Sequence, residues 1–147
     1  MDDQDLTQQT VHDGHWMQRC DELAEQALSR SEAGVGAVIV RDNVLMAEAS
    51  EWVIGSRDIA GHAELIAIRL ACAAIGSIDL SGCTLYTNIE PCWMCSYAIR
   101  ESRIACIVIS QPIAEIGGAS SHYPILTDSD VSGWPSPPVI RWFRAEE

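Results

Sequence analysis

The chain contains no lysine: all nine basic residues are arginine, set against twenty-one Asp and Glu, for a formal net charge of −12. A protein whose main work is gripping a phosphate backbone needs a basic face. No basic cluster is visible, so the balance argues against nucleic acid as a partner and for a neutral or weakly charged small molecule. Long apolar runs are missing too, and no stretch approaches the roughly 18 uninterrupted apolar residues of a membrane span. The opening MDDQDLTQQT is acidic and lacks the basic-then-apolar pattern of a secretory signal. A cytoplasmic protein with no part in a membrane is the expectation. There is no internal repeat and no low-complexity linker. A length of 147 residues suffices for one domain with a hydrophobic core and is short for two.

Cysteine is present without a pattern that would pair it. There is no export signal, and a chain of this length does not need staples. Cys72 falls in an alanine-rich helical run and Cys106 in the strand-like RIACIVIS. These two, with Cys20 and Cys83, read as small buried hydrophobes. Only Cys92 and Cys95 stand apart, by their spacing.

Residues 1–12 read as an acidic N-terminal tail and 13–147 as a single domain. From His15 to Arg30 apolar positions recur at three and four residues, predicting an amphipathic helix. Val35–Val40 and VLMAEAS read as a hairpin joined at RDNV, and 51–61 as a loop. A helix is predicted from about His62 to Ala74, closed by Gly76. The strand CTLYTNI follows it, then a helix opened by Pro91 and running to about Ser102, then the strand RIACIVIS. Strand, helix, strand in that order implies two parallel strands. The expected class is therefore α/β, an antiparallel hairpin continued by parallel strands with helices on its faces. Beyond Gln111 the sequence reads mostly as loop, ending in a short strand or helix at VIRWFRAEE.

His62 and Glu64 open one predicted helix; Cys92 and Cys95 open the other. Helix N-termini favour thiolates, because the helix dipole and unpaired backbone N–H groups stabilise negative charge. One histidine and two cysteines suit Zn²⁺ in tetrahedral geometry and leave a fourth position for water. No second C-x-x-C and no second H-x₃-H completes a structural zinc pattern, which points to a catalytic metal. Glu64, two residues after His62, cannot easily share the ligand direction. It can hang over the open position, accept a proton from bound water and hand it to a leaving group.

With these residues the chain resembles the zinc-dependent cytidine/cytosine deaminase superfamily, whose nucleobase deaminases carry H-x-E…P-C-x-x-C. GVGAVIV, GHAELIAIR, TLYTNIEPCWMC and ESRIACIVI are similar to successive blocks of the branch holding guanine deaminase, fungal cytosine deaminase and bacterial tRNA adenosine deaminase. The likeness spans about residues 15–120. It implies a three-layer sandwich around a five-stranded mixed sheet, a homodimer, and one Zn²⁺ per chain, with a bound water or hydroxide, on His62, Cys92 and Cys95. It further implies that Glu64 is the catalytic proton carrier and that the backbone carbonyl of Glu90 receives the substrate's amine. Ala63, Trp93, His122 and Glu51 complete the expected substrate contacts. Trp52, Trp142 and Phe143 are further candidates to line the pocket. Asp128 and Glu146 are candidates for a second acidic residue found in some guanine deaminases.

Members of this branch commonly carry asparagine where this chain has Glu51. An ionised Glu only accepts hydrogen bonds, so a ring presenting N–H or NH₂ donors is expected there. The expected function is hydrolytic deamination of a free nucleobase or related aminoheterocycle of guanine or cytosine type, releasing ammonia. The alternatives are tRNA-specific adenosine deamination and a catalytically silent, zinc-stabilised scaffold.

Overall fold

A helix of 27 residues, α1 (Asp3–Ser29), begins nine residues before the tail was expected to end. Asp2 caps it, its side chain accepting the N–H of Asp5 at 2.8 Å. Only from Asp13 onward does α1 bury residues. The first three turns therefore carry no apolar stripe that the sequence could reveal, and capping and helical propensity hold them. The computed structural model describes residues 2–144; the domain boundary drawn at 147 and Glu146 lie outside the described residues.

The strands β1 (Gly36–Arg41) and β2 (Val44–Ser50) form the expected antiparallel hairpin. Its turn residues Asp42 and Asn43 both have positive φ, at 52° and 59°, the combination that matches a two-residue hairpin turn to strand twist. Helix α2 (Ala63–Ile75) follows the 51–61 loop and ends at Gly76, whose φ of +76° is the left-handed cap most residues resist. Then come β3 (Thr84–Ile89), α3 (Trp93–Glu101), β4 (Cys106–Gln111) and β5 (Val139–Trp142). The sheet order is β2-β1-β3-β4-β5. Its first two pairings are antiparallel, while β3/β4 and β4/β5 are parallel. This is the five-stranded mixed sheet of the expected sandwich, and VIRW is its last strand.

Side-chain alternation along the strands makes the layers. Ala37, Ile39, Leu85, Ile107 and Ile109 point to one face, where they pack with Ala63, Ala67 and Ile68 of α2 and Ile99 of α3. Val38, Val40, Tyr86, Cys106 and Val108 point to the other and meet Trp16, Met17, Cys20 and Leu23 of α1. Cys20, Cys83 and Cys106 are buried free thiols and Cys72 is half-buried.

Polar anchors finish the assembly. Asp13 accepts from Tyr86 Oη at 2.7 Å and from both Nη2 and Nε of Arg141, which ties α1 to β3 and β5. Arg100, 2% exposed, donates to the carbonyls of Ile125, Asp128 and Pro135 and lies 4.5 Å from the Trp134 ring centroid. One buried guanidinium thus gives shape to a segment almost without secondary structure. No helix among the described residues is long and apolar enough to cross a membrane.

Candidate active site

Two helix N-termini converge on one point. His62 is the N-cap of α2 and Cys92 the N-cap of α3, and neither side chain caps its own helix. Both side chains turn instead toward each other. Nδ1 of His62 lies 3.4 Å from the Cys92 sulfur and 3.4 Å from the Cys95 sulfur. The three donor atoms all lie within 4.8 Å of one another. Tetrahedral zinc, with Zn–S of about 2.3 Å and Zn–N of about 2.0 Å, sets sulfur and nitrogen roughly 3.5 Å apart. The spacing therefore fits the ion without rearrangement, and the donor set is the one zinc favours.

The electrostatics agree. The Cys92 thiol is held down to about 5, first by the hydrogen bond from Cys95, against burial, with help from the Cys95 and Met94 amides and from His62. Cys95 is pushed up, first by that same bond and then by burial. Both sulfurs face the same ring nitrogen of His62, a place a divalent cation can take. Glu64, 4% exposed, begins the first turn of α2 beside this group. Burial raises its carboxyl to about 8, and the negative neighbours Glu51 and Cys92 add to that. A cation nearby acts in the opposite sense.

Two of the residues expected to meet substrate meet each other. Oε1 of Glu51 accepts the N–H of Ala63 at 2.7 Å. Because His62 directs its ring to the sulfurs, the first turn of α2 lacks a local cap, and Glu51 supplies one from the preceding loop. Glu51 is 7% exposed, and burial raises its carboxyl more than the Ala63 amide lowers it. The loop is held in turn by Glu32, whose carboxylate accepts the N–H groups of Val53, Ile54 and Gly55.

Glu90, 1% exposed, has a role in its side chain that the sequence did not disclose. Its carboxylate accepts N–H groups from Ile113, Ala119 and Ser120 at 2.9, 2.8 and 2.7 Å. The 112–124 loop is thereby fastened beside Cys92, which pairs with Gly117 as an isolated bridge. A Cβ on Gly117 would overlap the Glu90 carboxylate, so this close wrap requires glycine. Trp93, half-buried, donates its indole N–H to Ser121 Oγ at 2.9 Å. His122 is exposed and packs edge-on against Tyr123, with centroids 5.0 Å apart. Trp52 is 50% exposed on the 51–61 loop. Trp142 and Phe143 line a surface groove with Ser110, Pro112 and Ser120, and no metal-group residue borders it. Asp128 is exposed, its Oδ1 accepting the N–H of Asp130.

Comparison with known proteins gives the arrangement a family. The profile of the cytidine and deoxycytidylate deaminase zinc-binding region matches residues 10–111. The tRNA-specific adenosine deaminase of Aquifex aeolicus (strain VF5) is 38% identical over 105 residues, covering 71% of this chain and 70% of that protein. A solved structure from work on A-to-I editing by tRNA:A34 deaminases at the wobble position of transfer RNA matches with a TM-score of 0.80 at 30% identity. That match covers 86% of this chain and 90% of that one. Guanine deaminase from Bacillus subtilis gives a TM-score of 0.65 at 36% identity, over 67% of this chain and 64% of its own.

These likenesses correct two expectations. Relatives acting on tRNA overturn both the free nucleobase as substrate and the exclusion of nucleic acid as partner. Net charge summed over a chain does not decide nucleic-acid binding, which depends on the charges at one face. Arg19 and Arg141 are held in ion pairs and Arg100 is buried, but Arg30, Arg41, Arg57, Arg69, Arg103 and Arg144 are exposed. The chain belongs to the cytidine and deoxycytidylate deaminase zinc-binding family, and is a hydrolase of nucleobase or nucleoside C–N bonds that carries a single Zn²⁺.

Proposed function

We propose that this protein deaminates adenosine within tRNA, converting it to inosine at the wobble position. The observation that carries the reading is the joint match, 38% identity to a tRNA-specific adenosine deaminase and a TM-score of 0.80 to the tRNA:A34 deaminase structure, each covering most of both chains. His62, Cys92 and Cys95 are the residues to hold Zn²⁺, which supplies an activated water at neutral pH. Beside that position the ionised Glu64 carboxylate takes a proton from the water as its oxygen bonds to the amine-bearing carbon, and delivers it to the adjacent ring nitrogen. It then takes that oxygen's remaining proton and passes it to the amine, which leaves as ammonia as the C–N bond breaks and the carbonyl forms.

The buried setting of Glu64 supports this assignment, since a carboxyl shielded from water gives up and takes back a proton near neutrality. In this reading the Glu90 carbonyl, which directly precedes Pro91, receives the amine's hydrogen bond and orients it. Burial of the Glu90 side chain fixes that carbonyl's position. A base inside a folded anticodon loop must leave its stack to reach such a site, so the site accepts single-stranded rather than paired adenosine.

The test is incubation of the zinc-loaded protein with a tRNA transcript bearing adenosine at the wobble position, followed by digestion and mass spectrometry of the nucleosides. Inosine accumulating with time, and absent when the zinc is removed by chelation, is the expected result. A tRNA recovered with its adenosine intact defeats the reading.

A further inference from the structure

We propose that Tyr123, braced by Trp93 and His122, is a stacking surface for the unpaired base adjoining the edited adenosine. This rests on the tRNA reading above and names a part of the same site. Three observations lead to it. Trp93 directly follows the metal ligand Cys92, and the loop that carries Tyr123 pairs with Cys92 through Gly117, so both aromatics belong to segments that adjoin the metal group. Tyr123 meets Trp93 edge to face, with centroids 5.4 Å apart and an interplanar angle of 78°. His122 meets Tyr123 from its other neighbour, at 5.0 Å and 76°.

The cluster is held in place and yet open. The Ser121 hydroxyl accepts both the Trp93 indole N–H at 2.9 Å and the Tyr123 backbone N–H at 3.2 Å, which fixes the two aromatics relative to each other. The Glu90 carboxylate holds the same loop from beneath, through Ala119 and Ser120. Tyr123 nevertheless remains 60% exposed. Its ring, held by these contacts, is ordered before any base arrives, which lowers the entropy cost of stacking on it.

The chemistry selects the occupant. A base taken out of its stack leaves its neighbour with one bare face, at a cost of a few kcal/mol. An aromatic side chain next to the site restores that stack for any base, since every base has a π-face. Stacking needs no cation, so it adds to whatever phosphate contacts the exposed arginines make. Because the Tyr123 loop is tied to Cys92 by the Gly117 bridge, a neighbour of the reacting base has this ring within the same stretch of surface.

The experiment uses the zinc-loaded full chain and a stem-loop RNA with one loop adenosine, flanked on one side or the other by 2-aminopurine, whose fluorescence falls on stacking. Wild type is expected to quench the probe on one flank. Tyr123→Phe is expected to behave as wild type. Tyr123→Ala is expected to lose the quench and raise KM roughly tenfold to a hundredfold, the loss of one base–aromatic stack, with kcat and zinc content within about twofold of wild type.

If wild type deaminates the RNA and Tyr123→Ala changes neither the quench nor KM, the stacking surface is refuted and the tRNA reading stands. If wild type deaminates no RNA, both fall. If Tyr123→Ala alters sedimentation of the protein but not RNA affinity, the face belongs to a second copy of the chain and the proposal fails.

Discussion

Glu64 is the residue on which the proposed chemistry turns, and it is separable from the metal. It is buried beside the donor group without being a member of it. Glu64→Gln keeps the shape and removes the proton carrier. Deamination is predicted to fall roughly 10²- to 10⁴-fold, while zinc content, measured by elemental analysis, stays at one per chain; loss of zinc would place Glu64 among the ligands instead. Glu51 is separable in a different way. Its bond to the Ala63 amide makes it the cap of the helix that carries His62 and Glu64. Glu51→Ala is predicted to cost about 0.5–2 kcal/mol in urea denaturation, the usual range for a lost cap, and to weaken zinc retention against a chelator. Glu51→Gln, which still offers an oxygen to Ala63, is predicted to keep both. Equal behaviour of the two variants would show that the bond does not position the helix.

Elements and loops show how much of the site was legible in the sequence. The metal group was fully so, because H-x-E and C-x-x-C mark two helix starts and the fold needs only to bring those starts together. The hairpin, α2 and the β3–α3–β4 unit followed from periodicity and turn residues. The first turns of α1 did not, since Leu6 and Val11 are exposed and no buried stripe accompanies them. The order in residues 112–138 was hidden as well. It comes from two long-range side chains, Glu90 and Arg100, whose partners are backbone groups 23 to 35 residues away, and backbone partners leave no pattern in sequence.

The 51–61 loop depends on such a bond too, and that gives a pH prediction. Burial alone raises the Glu32 carboxyl, but the amides of Gly55, Ile54 and Val53, with Arg30, outweigh it and set it lower than in the unfolded chain. A depressed carboxyl stabilises above its unfolded value and loses that contribution as pH falls through its folded one. Protection of the Val53, Ile54 and Gly55 amides, measured as hydrogen exchange relative to the intrinsic rate at each pH, is therefore predicted to hold from neutrality into mild acid and to fall as Glu32 is protonated. In Glu32→Gln these amides exchange fast at every pH. A loop equally protected in that variant would show that the carboxylate is not its anchor.

At the scale of the molecule, charge sets the terms for the proposed binding of RNA. With −12 overall and six exposed arginines spread along the chain, few phosphates can be neutralised at once. For two or three phosphate contacts the slope of log affinity against log salt is roughly −1.5 to −3. Anisotropy titrations of labelled tRNA between low and moderate salt check this, and a slope steeper than about −5 would mean a basic surface formed only in the complex. At the predicted shallow slope, specificity comes from the shape of the pocket and from stacking rather than from charge.

The central claim is that this metal group works on adenosine within tRNA. It is tested most directly by one reaction in which zinc-loaded protein meets a tRNA pool together with free adenine, guanine and cytosine, with inosine read by sequencing and the free bases by chromatography. Inosine at the wobble adenosine, abolished by Glu64→Gln and unaccompanied by loss of a free base, is the predicted result. Consumption of a free base while every tRNA adenosine stays intact would contradict it.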